Sequence, residues 1–140
     1  MDSTPLSTAE LLVMIFERFS ASQTLWNLYI TVVLGVIGFV AAVPNALTTW
    51  WIRTVVTLGF LAFALVNLNA IGNVQAQRAQ LLPTAIERAA PADAQMVQAV
   101  VDVSAPPTRM ELRVFHLGID AAVVFLIWFV PYARVGDRGR

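Results

Sequence analysis

Three stretches of the chain are apolar for long enough to matter: residues 26–43, 50–71 and 114–130. A helix rises about 1.5 Å per residue and bilayer hydrocarbon is about 30 Å thick, so a span needs about 20 apolar residues. The pattern therefore predicts an all-α integral membrane protein, one domain over residues 1–140, with three transmembrane helices. The first span, 26–43, is uncharged and ends at Pro44-Asn45. Proline lacks the amide that would continue a helix, and asparagine suits a turn. The second span, 50–71, follows almost at once, which makes the pair an antiparallel hairpin. Arg53 lies one turn inside it, where a long stem can snorkel toward water. The third helix, 109–131, has a sequence-level start: Thr108-Arg109-Met110-Glu111 reads as a capping box after Pro106-Pro107. Residues 132–140 read as a short, loose basic tail.

The polar stretches predict smaller elements. Ser7-Thr8-Ala9-Glu10 is another capping box. Behind it Leu11, Leu12, Ile15, Phe16 and Phe19 share one helical face, with Glu10 and Glu17 off it. That run is too short to span, so residues 8–20 are expected as an interfacial amphipathic helix. A plain helical lead-in to the first span is the competing reading. Residues 72–108 carry Pro83, Pro91, Pro106 and Pro107. Gln75–Arg88 can continue the second helix. Met96, Val97, Val100 and Val101 suit one face of a short helix, although Val97–Val103 also permits a strand. We expect a short helical extramembrane cap there, leaning on the membrane or a partner because so few residues cannot build their own core.

Composition narrows the function classes. The chain is 58% hydrophobic and 13% charged with a mean hydropathy of +0.70, more apolar than a soluble domain of this size needs. Net charge is zero, which gives no reason to expect a nucleic-acid partner. Cysteine is absent, which removes disulfides, thiolate metal sites and cysteine nucleophiles. No phosphate-binding glycine loop or His-Glu-x-x-His pattern occurs, the first 24 residues lack the basic and apolar regions of a signal peptide, and no cofactor or metal is expected. The sequence leans away from an enzyme.

Basic residues orient the spans only weakly. Arg134, Arg138 and Arg140 favour a cytoplasmic C-terminus, whereas Arg78, Arg88, Arg109 and Arg113 would then face outward. The expectation is a multi-pass plasma (inner) membrane protein with its N-terminus outside. Trp26 suits an aromatic belt at one surface, and Trp50, Trp51, Trp128 and Tyr132 suit one at the other.

Three constellations could carry chemistry. Arg113, His116 and Asp120 are spaced three and four apart, on one face of the third helix. A carboxylate near the midplane costs about 2.5–3.5 kcal/mol even on insertion scales, so Asp120 must be protonated, paired or wetted. It either pairs with His116 or an asparagine and fixes packing, or works with His116 as a proton or cation relay. Asn67, Asn69 and Asn73 fall near the end of the second helix, at the same surface as the start of the third. They read as interhelical glue or as a polar lining. The third is a small-residue stripe, Asn27, Thr31, Gly35, Gly38 and Ala42, with shorter counterparts at Gly59 and Ala62 and at Gly118 and Ala122. Such faces let helices approach closely, within a chain or between chains. Two functions follow: a non-enzymatic subunit or scaffold of a homo-oligomeric or larger membrane complex, or an oligomeric ion or proton channel or ion-coupled transporter lined by Asp120 and His116. The expected partners are the lipid bilayer and further copies or other membrane subunits.

Overall fold

Each polar-to-apolar transition in the chain becomes a helix end only where something stops the hydrogen-bond ladder. The computed structural model describes residues 7–43 and 49–136, and its regular elements there are four helices: α1 Thr8–Ala42, α2 Trp50–Arg88, α3 Ala94–Ser104 and α4 Arg109–Gly136. Both predicted capping boxes form. The Glu10 amide donates to the Ser7 hydroxyl at 3.3 Å while the Ser7 amide donates to the Glu10 carboxylate at 2.7 Å. Thr108 and Glu111 make the same exchange at 3.2 and 2.9 Å. Each box satisfies orphan amides of a first turn.

Two expectations about boundaries are corrected. Residues 8–20 are not a separate interfacial helix; they are the opening turns of α1, which runs unbroken into the first span. The joining Ser20-Ala21-Ser22-Gln23-Thr24 is polar but holds neither proline nor glycine, so nothing there interrupts the i→i−4 ladder. The third helix does not end at Pro131, and residues 132–136 are helical, not loose tail. A proline removes one donor and kinks a helix without always ending it, and α2 likewise carries Pro83 in its interior. The segment from Val97 is helix, as expected, and the strand alternative falls away. The turn expected at Pro44-Asn45 and the tail beyond residue 136 lie outside the described residues.

Helix lengths set the architecture. With 35 and 39 residues, α1 and α2 measure about 52 and 58 Å, well beyond the hydrocarbon thickness of about 30 Å. They form a long hairpin, and α4 packs beside its apolar half. Three helices are long and apolar enough to cross a membrane, and only 17%, 22% and 28% of their most apolar windows are buried within the chain. Leu34, Leu58, Leu65, Val114 and Phe125 are among the large side chains left outward, where only an apolar solvent suits them.

Two cores result. One joins the three spans through Tyr29, Val33, Val40, Phe60, Ala64, Val123 and Ile127. The other joins the far ends of the hairpin to α3 through Leu11, Ile15, Leu82, Ala85 and Val97. The Thr8 hydroxyl donates to the Arg88 carbonyl at 2.8 Å, tying the start of α1 to the end of α2.

Candidate functional site

The deepest polar cluster grows from three helical positions. Tyr29 faces inward on α1, one turn past Trp26 and one turn before Val33. His116 and Asp120 stand one turn apart on α4, on the face that continues through Val123 and Ile127. All are buried, with His116 and Tyr29 at 0% and Asp120 at 7% exposure. The Tyr29 hydroxyl donates to Asp120 Oδ1 at 2.8 Å, and His116 Nδ1 meets Asp120 Oδ2 at 3.2 Å. The Tyr29 and His116 rings pack with centroids 4.0 Å apart, and Trp26 closes the far side 5.9 Å from the imidazole. Both carboxylate oxygens therefore have partners inside the chain, one from each of two helices.

Two contacts define the depth of this cluster. At one end Arg53 Nη1 donates to the Trp128 carbonyl at 3.3 Å; at the other the Gln75 amide donates to Ser22 Oγ at 3.1 Å. Arg53 to Gln75 on α2 spans 22 residues, about 33 Å, close to a hydrocarbon thickness. Ala64 is its midpoint. Asp120 stands eight residues from Trp128, so it lies within about one helical turn of that midpoint. Neither His116 Nε2 nor the Nδ2 of buried Asn67 has a hydrogen-bond partner. An unmatched buried polar group costs about 1–3 kcal/mol.

The remaining predicted residues separate from this cluster. Arg113 is exposed, and so are Asn69 and Asn73, whereas Asn67 is buried. Arg113, Asn69 and Asn73 come together, but along an outer groove between α2 and α4. The residues expected to form one polar path thus fall into a buried cluster and a surface groove, and Asp120 also borders an outer groove that shares Leu117 with the latter. The stripe of Asn27, Thr31, Gly35, Gly38 and Ala42 faces outward, and no heavy atom lies within 4 Å of a Cβ built at Gly35, Gly38, Gly59 or Gly118. Ala122 is exposed as well. None of these small residues packs the helices of a single chain together; Tyr29, Val33 and Val40 do that on the opposite side of α1.

Two buried polar groups take roles that the sequence reading did not give them. Arg53 does not snorkel: it is 2% exposed and donates from Nη1 to the Trp128 carbonyl at 3.3 Å. Arg78, also buried, donates to Gln75 Oε1 at 2.9 Å and to the Ser104 carbonyl, and its guanidinium lies 5.0 Å from the Phe19 ring centroid. Burial lowers the Arg78 pKa, although guanidinium stays charged in proteins. Tyr29 was missed too. Its phenol was the available signal, because a tyrosine inside a span must find a partner for its hydroxyl. Among the described residues, no group of three or more His, Cys, Asp or Glu side chains could hold a metal ion. No protein-family model matches the chain, and neither does any curated protein sequence or solved structure.

Proposed function

We propose that this chain is a non-enzymatic membrane subunit, a three-span scaffold that assembles with further copies or other membrane proteins. The observation that carries the reading is the closure of Asp120. Its two oxygens are taken by Tyr29 and His116, which spends the intramembrane carboxylate on joining α1 to α4. A relay needs the same group to exchange partners along a path, and the exposed Arg113, Asn69 and Asn73 lie apart from it. The outward stripe on α1 then supplies the contact for another helix, since small residues favour close approach in lipid. In this reading the α1 start, the α2 end and α3 stand outside the bilayer as a helical cap, in the plasma (inner) membrane, with the N-terminus outside and the C-terminus cytoplasmic.

Reconstitution of wild type and Asp120→Asn into liposomes tests the central claim. We expect no proton or cation flux above empty vesicles from either, with Asp120→Asn less stable to denaturant. Flux from wild type that Asp120→Asn abolishes would establish the channel or carrier alternative instead. Topology is tested separately: cysteines at Ser3 and Gly139 should label from opposite sides, with Ser3 accessible from outside.

A further inference from the structure

Arg109 and Arg113 stand one turn apart on the outward side of α4. Asn69 and Asn73 stand one turn apart on α2, with Gly72 between them. Together they line the mouth of a groove of about 350 Å³ floored by leucines, among them Leu65 and Leu117. Neither arginine has an ion-pair partner among the described residues. At Gly72 no heavy atom lies within 4 Å of a built Cβ, so the mouth is open.

The groove does not stop at its polar mouth. Leu117 also lines a second groove of about 460 Å³, which follows the same seam past Leu61, Val124, Phe125 and Phe129. The seam is thus cationic and amide-rich at one end and mostly apolar along the rest, with the largely buried Asp120 at its wall. Asn73 to Leu61 is about 18 Å along α2, comparable to one leaflet of a core about 30 Å thick. Asn73 also lies within one turn of Gln75, at the edge of the apolar zone, so the mouth sits at headgroup depth.

Guanidinium forks pair bidentately with phosphate oxygens, and asparagine amides supply further donors. A soluble anion would use the mouth alone and leave the apolar continuation unused. We propose that the seam between α2 and α4 binds one anionic phospholipid. Its phosphate sits among Arg109, Arg113, Asn69 and Asn73, and an acyl chain lies along Leu65, Leu117 and Phe125. The site rests on the chain crossing the bilayer and is independent of the scaffold role.

Native mass spectrometry of the full chain, released from micelles doped with phosphatidylglycerol or phosphatidylcholine, tests it. Wild type should retain one phosphatidylglycerol with a preference of about tenfold or more, as expected for two arginines at an anionic headgroup. The double variant R109Q/R113Q should lose that preference. Gly72→Leu, which fills open space at the mouth, should lower retention while leaving the helical content unchanged. Arg18→Gln should behave as wild type. Equal retention by R109Q/R113Q, an equal loss in Arg18→Gln, or displacement of the lipid by an equal concentration of inorganic phosphate would overturn the proposal.

Discussion

Tyr29 and Asp120, 91 residues apart, are joined across the α1–α4 interface by a 2.8 Å hydrogen bond, and the same tyrosine ring packs on His116. One side chain thus satisfies the carboxylate and holds the imidazole beside it. Tyr29→Phe should keep the ring contact and lose only the donor, destabilising the chain by about 0.6–2 kcal/mol. A double-mutant cycle with Asp120→Asn, followed by denaturant unfolding in micelles, isolates the pair. Strictly additive effects would show that the two residues do not support each other.

Arg78 should govern the attachment of α3. It reaches the Gln75 side chain and the Ser104 carbonyl at the end of α3, over the Phe19 ring. Arg78→Gln removes the two-pronged donor, at a cost on the order of 2 kcal/mol. Amide hydrogen exchange in 94–104 should accelerate while exchange in the spans stays slow. Arg78→Lys should rescue little, because an ammonium cannot reproduce the planar fork.

Acid should weaken both capping boxes. Hydrogen bonds from Ser7 hold the Glu10 carboxyl below its ordinary value of 4.5, and Thr108 does the same for Glu111. For a depressed carboxyl, the stabilisation is present above the ordinary value and is lost as pH falls through the folded one. The thermal midpoint of wild type should therefore exceed that of E10Q/E111Q at neutral pH. The gap should close below pH 4.5. A gap that persists unchanged into strong acid would rule out the charged carboxylates as its source.

Replacing Gly35 and Gly38 by leucine should leave the single chain as stable as wild type, since a side chain at either position meets nothing within 4 Å. Greater helix propensity should even favour the folded form slightly, by up to about 1 kcal/mol per site. Association should change instead. Crosslinking in native membranes is expected to fall in the double variant; an unchanged pattern would remove the stripe from any interface.

What could be read from the chain follows from how local its causes are. The three long apolar helices depend on runs of apolar residues, and the capping boxes on residues three apart, so both were legible in Trp26–Val43 and in Ser7–Glu10. The pairing of His116 with Asp120 is equally local, one turn along a single helix. The extent of α1 was not, because Ser20–Thr24 is polar enough to suggest a break while containing nothing that enforces one.

The outward or inward direction of each helix was decided by the tertiary structure. Around a span, lipid and protein interior are both apolar, so hydrophobicity does not tell the two faces apart. The sequence therefore placed Gly35 and Gly38 on one face of α1 without saying that it is the outer one. It grouped Arg113 with His116 and Asp120 although helix packing turns Arg113 to the surface. The partner of Asp120, Tyr29, and the burial of Arg53 and Arg78 depend on which helices meet and at what height. The contacts that join them to other helices link residues 26 or more apart and form only once the helices have packed.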